Sequence, residues 1–323
     1  MRRLSLVLAC VLLVTSACAT APPRPGAKLW HDGRLFIATG NTTAVYYQIG
    51  GGLADVITKY LPGYEARAEP TGASGENIQR VADGDMDIAF ANGDTVADGV
   101  VGKGSFRQPQ RVVALTRIYR NYVHLVVRNA AKITKLADLK DKRVSTSSPN
   151  SGTDVLAGRI LVAGGLDPDR DITRLRISLP DTTKGMQAGT IDALFFTSGL
   201  PNPGLVDLLG GATSAGQYSI LPLGADILQP LVAKYGPVYG TAKVPKAIYN
   251  QPADVETIVL FNMLIVSPDM PDQLAYDLLR VLFEHQDELK KVHPEGGNFD
   301  KRNGASTDPV PLHPGAARFF SGG

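Results

Sequence analysis

The chain is poor in cysteine, in long apolar runs and in net charge, and each shortage removes a class of protein. Only two cysteines occur, Cys10 and Cys18, both within the first 18 residues. The body of the chain can therefore hold neither a disulfide nor a thiolate metal site. The five histidines, His31, His124, His285, His293 and His313, show no metal-ligand spacing, so no metal is expected. Beyond the N-terminus no stretch approaches the ~20 apolar residues that span a bilayer. Lys and Arg total 33 against 31 Asp and Glu; without residues 1–17, which hold Arg2, Arg3 and no acid, the balance is 31 to 31. This neutrality, with both signs interspersed, argues against nucleic acid as a partner.

The N-terminus has a pattern of its own. Arg2 and Arg3 precede the apolar run Leu4 to Val14, and Ser16-Ala17-Cys18 follows. A short basic start, about ten apolar residues and a small-residue exit predict a secretory signal over 1–17. Cys18 would then lead the mature chain and matches the position that takes a lipid in bacterial lipoproteins. The Leu usual three places earlier is missing, and cleavage after Ala19 without a lipid is the alternative. Residues 18–33, with Pro22, Pro23 and Pro25, predict a flexible tether. The expected location is extracytoplasmic, lipid-anchored to the cell membrane or periplasmic if unlipidated.

The rest alternates strand and helix patterns. Leu35 to Thr39 predicts a strand ending in Gly40-Asn41-Thr42-Thr43. Val45, Ile49, Leu53, Val56, Ile57 and Tyr60 then keep helical spacing, with Asn41 or Thr42 as N-cap. Gly50-Gly51-Gly52 within that helix predicts close packing on a neighbour. Ser74 to Asp83 predicts a helix and Met86 to Ala91 a strand; Val112 to Leu115 and Val123 to Val127 predict two extended segments. Arg143 to Thr146, a helix from Asp154 opened by Ser151-Gly152-Thr153, and a strand Ile191 to Phe196 repeat the plan. Gly84, Met86, Asp87 and Phe90 match Gly189, Ile191, Asp192 and Phe195 in spacing. Thr257 to Val266 predicts a strand, Asp272 to Lys291 one helix, and Pro309 to Ala316 a loop. These patterns predict two α/β lobes of similar plan, with a cleft between them at the strand carboxyl ends.

Candidate binding residues lie where helices begin. Helix N-termini expose backbone N–H groups and partial positive charge, and Thr39, Asn41, Thr42, Thr43, Ser151 and Thr153 add side-chain donors there; plain capping is the competing reading. Arg117, beside Tyr119, Arg120 and Tyr122, is the candidate for pairing an acidic ligand through a guanidinium fork, with Arg120 as rival. Catalysis has little support. Ser151-Gly152-Thr153 is not a nucleophile elbow, Gly50 to Gly52 lacks the Lys-Ser/Thr of a phosphate loop, and Asp87 and Asp192 fall in separate lobes. No enzyme activity and no cofactor are expected.

From Thr39-Gly40-Asn41-Thr42-Thr43-Ala44-Val45-Tyr46-Tyr47 onward the chain resembles the TAXI family of TRAP-transporter solute receptors. The likeness continues through Thr71 to Asn77, Asp87 to Phe90, Gly102 to Phe106, Ser151 to Thr153, Ile191 to Gly199 and His313 to Ala316. The resemblance implies a type II periplasmic-binding-protein fold of two hinged lobes: 34–120 with 222–323, and 121–221. It implies capture of an anionic or zwitterionic organic acid or amino acid, glutamate-like or a dicarboxylate, and delivery to a TRAP-type integral membrane subunit. The implied contacts are Thr39, Gly40, Asn41, Thr42, Thr43, Tyr46, Thr71, Ser74, Ser151, Gly152, Thr153, Thr197 and Ser198. Asn92, where the family often has glutamine, and Ile118-Tyr119-Arg120-Asn121 depart from its pattern near the cleft. An enzyme or precursor-binding protein on the same fold, acting on a phosphorylated or heterocyclic molecule, is the alternative; a surface antigen or adhesion protein is a third.

Overall fold

A computed structural model describes residues 29–211 and 216–322. The predicted signal, the Cys18 site and the tether as far as residue 28 lie outside them. The chain opens with β1 (Arg34–Ala38), α1 (Val45–Tyr60), β2 (Glu65–Glu69), α2 (Ser74–Ala82), β3 (Ile88–Asn92), α3 (Gly93–Val101) and the long β4 (Val113–Arg128). Next come β5 (Arg143–Ser145), α4 (Gly152–Ala163), β6 (Thr173–Leu175), α5 (Leu179–Gln187), β7 (Ala193–Ser198), α6 (Pro203–Gly210) and β8 (Tyr218–Leu221). The last elements are α7 (Ala225–Tyr235), β9 (Tyr239–Val244), β10 (Val255–Val266), α8 (Asp272–Glu284), α9 (Gln286–Val292) and α10 (Pro314–Phe320).

One strand plan is used twice. In the first half the order is β2-β1-β3-β10-β4, with β1, β2 and β3 parallel and β10 antiparallel to both neighbours. In the second, β6, β5 and β7 are parallel, and β4 runs antiparallel between β7 and β8. Every residue of β3 and β7 is buried, as expected of strands covered on both faces. Ile37, Ile49, Ile57, Phe90 and Leu264 share one apolar cluster of the first half. Leu125, Val144, Leu156, Ile160 and Phe195 share one of the second.

The spacing match between the halves has a physical basis. Gly84 and Gly189 end α2 and α5 at φ +82° and +72°, the left-handed turn that stops a helix with little strain only at glycine. Each chain then reaches an aspartate that pins the first strand of its half. Asp87 accepts from Phe36 N at 2.8 Å and donates its own N–H to Phe36 O. Asp192 accepts from Arg143 N at 3.1 Å and donates to Arg143 O.

Several expectations need correction. The two extended segments around Arg117 form one continuous strand, β4, because its first part pairs with β10 and its last with β7 and β8. The return to the first half was expected after residue 221. Instead Leu223, Ile227, Leu231, Tyr239 and Ile258 pack with Val123, Leu125 and Phe195, so the chain crosses back only within β10. Helix α1 begins at N-cap Ala44 without a side-chain cap, which removes Asn41 and Thr42 from that role. The helix predicted over 272–291 breaks at His285 (φ −114°, ψ 22°). The C-terminal loop runs into α10, capped by His313 Nδ1, which accepts from Gly315 N at 3.1 Å. Gly50 does pack closely: a methyl group there would overlap the Thr39 side chain.

His124 lies fully buried in β4, its Nδ1 3.2 Å from Phe196 O. Burial lowers its pKa from 6.5 to about 4. As pH falls through this window the unfolded chain takes up a proton that the folded chain refuses, so stability is lost. The loss approaches ~3 kcal/mol by pH 4. Urea unfolding of His124→Gln should lack this acid-side slope; equal pH dependence in variant and parent would clear His124 of the effect.

Candidate functional site

The starts of α1, α2, α3 and α4 meet around one space at the seam between the halves. The N-cap residues Ala44, Ala73 and Asn92 precede α1, α2 and α3, and none caps its helix with a side chain. From the other half Ser151 precedes α4 and accepts from Asp154 N at 3.1 Å. These ends enclose a cavity whose water-accessible space is only about 30 Å³. The first half lines it with Gly40, Asn41, Tyr46, Ser74, Asn92 and Asn121, the second with Ser147, Ser151, Gly152, Thr153, Thr197 and Ser198. The apolar lining comes from Ala44, Val45, Ala73 and Phe196. The wall holds no charged side chain.

Hydrogen bonds fix the polar groups. Tyr46 OH lies 2.6 Å from Asn262 Oδ1 and 3.0 Å from Asn92 Oδ1. Burial raises the Tyr46 phenol pKa well above its ordinary value, so the hydroxyl keeps its proton. Asn121 donates Nδ2 to Asn92 Oδ1 at 2.9 Å, and Ser74 Oγ accepts from Asn92 N at 3.0 Å. Within the second half, Thr153 Oγ1 accepts from Thr197 N at 3.0 Å and lies 2.9 Å from Thr197 Oγ1, which in turn accepts from Asn92 Nδ2 across the seam at 3.4 Å. Asn121 Oδ1 and Ser147 Oγ, in side chains at least nine-tenths buried, find no partner. Leaving such atoms unpaired costs ~1–3 kcal/mol each, which marks them as groups that await one. The backbone is strained around them: Ala73 and Ser147 sit at φ 72° and 73°, and Asn150 at 57°. Such conformations cluster at ligand clamps.

The acids nearest the helix starts are compensated. Asp94 accepts from Tyr239 OH at 2.8 Å and from Arg159 at 3.3 Å. Asp154 accepts from Arg174 at 2.7 Å, Arg176 at 3.2 Å and Thr146 Oγ1 at 2.6 Å. Neither carboxylate leaves an unbalanced negative charge beside the cavity. What reaches the interior is the positive end of the helix dipoles.

The residues named from sequence divide accordingly. Gly40, Asn41, Tyr46, Ser74, Asn92, Ser151, Gly152, Thr153, Thr197 and Ser198 line one space. Thr39, Thr42, Thr43, Thr71, Arg117 and Tyr119 do not. Thr39 donates to Glu69 O at 2.6 Å and Thr71 to Asn77 Oδ1 at 2.6 Å, so both hold turns. Thr42 is exposed, Thr43 O accepts from Gly204 N across the seam, and Tyr119 stacks on Phe299. Arg117 lies over the Phe261 ring, 3.0 Å from its centroid, and points away from the cavity lining. Asn121 and Ser147 were not singled out from sequence. A lone Asn within an apolar strand, and a third hydroxyl in Ser145-Thr146-Ser147, were the available signals.

The halves are closed onto each other. Gly75 N donates to Asn150 O at 3.1 Å and Leu179 N to Asn41 Oδ1 at 3.3 Å, both across the seam. A Cβ on Gly152 would overlap the Asn92 amide and come within 2.7 Å of Ser74 Oγ.

The sequence matches the NMT1-like family over residues 37–322. Among solved structures, the chain is similar to a binding protein component of an ABC phosphonate transporter from Pseudomonas aeruginosa. That likeness has TM-score 0.57 and 15% identity, covering 82% of this chain and 79% of that one. It is also similar to the PhnD1 protein of Prochlorococcus marinus in complex with methylphosphonate, with TM-score 0.56, 11% identity and coverage of 83% and 91%. At these identities the likeness is one of fold: type II periplasmic binding proteins, two α/β lobes facing a cleft.

Gly152→Ala should hold the lobes apart without unfolding either. Solution scattering should show a larger radius of gyration than the parent, and superimposable curves would refute the steric account.

Proposed function

The chain belongs to the NMT1-like family, and from that premise and the geometry of its cleft we propose that it is an extracytoplasmic solute-binding receptor. In this reading it closes on a small oxyanion, the head of a phosphonate, sulfonate or simple carboxylate, and delivers it to an integral membrane transporter subunit. One observation carries the ligand class. Four helix N-termini and a ring of hydroxyls and amides meet around a cavity with no charged side chain. Such a site offers many N–H and O–H donors and a positive dipole field, which suit a compact anion.

The same observation narrows the expectation from sequence. A glutamate-like ligand would bury its ammonium with no carboxylate to meet it, and a dicarboxylate would need room for two separated anionic groups in this small space. The small volume of the closed cavity also favours a compact guest. The neighbours' names fit this class, since they record a phosphonate transporter and a methylphosphonate complex. The blocks resembling TRAP receptors support an ion-gradient-driven partner, whereas the Pseudomonas neighbour is named for an ABC transporter. The basic, apolar and small-residue segments before Cys18 support export.

Calorimetry against methylphosphonate, phosphate, sulfate, methanesulfonate, acetate and L-glutamate tests the proposal. At least one compact oxyanion should bind more tightly than glutamate. Ser74→Ala and Thr153→Val should each weaken it about tenfold, the ~1.5 kcal/mol or more of a hydrogen bond to a charged group. Glutamate outbinding every small anion would overturn the ligand class.

A further inference from the structure

A second, larger hollow lies on the crossing strands, away from the interlobe cavity. This groove, about 660 Å³, is bounded by α3, β4, β9, β10 and the loop at Ser306–Pro309, so both halves contribute to it. Arg117 and Arg120 stand in it together, and both guanidinium groups lie over one ring, Phe261, at 3.0 and 5.2 Å from its centroid. The register explains how. Phe261 pairs with Arg120 and Met263 with Arg117, so three steps on β4 face two on β10. That irregularity brings to one face two residues which strict alternation would send to opposite faces.

Among the described residues neither arginine has an ion-pair partner. Arg117 Nε is buried without a hydrogen bond, while Arg120 is exposed. Burial, and then the charge of Arg120, lower the pKa of Arg117. Asp300 faces the pair from a neighbouring hollow, but its carboxylate is engaged by Arg302 and Asn303. Asp308 is the only acid in the groove wall itself. Two crowded cations on an aromatic platform are an arrangement that an incoming anion relieves. Much of the rest of the wall is apolar, including Val238, Val259, Leu260 and Met263, with Thr241 and Ser306 as neutral polar members. Its volume falls in the range typical of small-molecule pockets.

We propose that this groove is a second ligand site, one that takes a monocarboxylate with a compact apolar body. The carboxylate would sit in the forks of Arg117 and Arg120, and the apolar body against Phe261, Val259 and Met263. This assignment does not depend on what the interlobe cavity binds.

Benzoate is the test ligand and benzamide, its uncharged isostere, the control, titrated into the full chain by calorimetry. Benzoate should bind saturably, benzamide at least about tenfold more weakly, the scale of a charge-assisted bidentate contact. Arg120→Gln, at an exposed position, and Arg117→Lys, which keeps the charge but loses the fork, should each reduce affinity for benzoate about tenfold. Ser74→Ala, in the interlobe cavity, should leave it unchanged. Circular dichroism melting confirms that each variant is folded, and Phe261 ring-proton shifts on benzoate addition give a readout independent of the variants. Overturning results are no saturable binding by the parent, equal binding of benzamide, full affinity in both arginine variants, or loss only in Ser74→Ala.

Discussion

Two strands that each belong to both halves are the constraint on which the rest of this molecule depends. A backbone N–H or C=O taken from water must find a partner. β4 meets that demand by pairing with β10 along its first part and with β7 and β8 along its last. β10 does the same with β9 first and then with β3 and β4. The halves are therefore joined by continuous ladders, and their remaining contacts gather at the ends of the parallel strands. There α1, α2, α3 and α4 begin. Because these helices start at the seam, their unsatisfied N–H groups point at the opposite lobe and not into bulk water.

That placement explains why the cavity is polar without being charged. Acids beside helix starts stabilise them, but Asp94 and Asp154 would repel an anion if left bare. Arg159 answers the first, and Arg174 with Arg176 the second. Arg159 does more, because it sits on α4 and reaches Asp94 and Asp98 on α3. The charge compensation of the site is thus also a contact between the two halves. The residues that balance charge beside the cavity therefore also help to hold the halves together.

How much of this was legible in the sequence follows from the range of each interaction. The repeat Gly84-Asp87 and Gly189-Asp192 could be read because its cause is local: a left-handed turn, then a carboxylate at a strand start. The donor-rich turns at Gly40-Asn41 and Ser151-Gly152-Thr153 were visible for the same reason, since helix starts need small and polar residues. The role of Thr39 was misjudged because its hydroxyl bonds to Glu69 O on a neighbouring strand. The placement of α7 with the second half was hidden too, because an apolar helix face does not say which core receives it. Asn121 and Ser147 were missed since each reaches the cavity only through tertiary packing.

Arg117 is the instructive case. Read as a strand, Arg117, Tyr119 and Asn121 should share one face and Arg120 the other. Asn121 does line the interlobe cavity. The irregularity opposite Phe261 and Met263 resets the alternation, and Arg117 joins Arg120 on the groove side. A bulge is a relation between two strands, so one strand's sequence cannot announce it. Its consequence is an economical division of β4 within five residues. Asn121 gives an amide to a neutral, donor-rich cavity, while Arg117 and Arg120 hold their charge on the groove side, outside that cavity's wall.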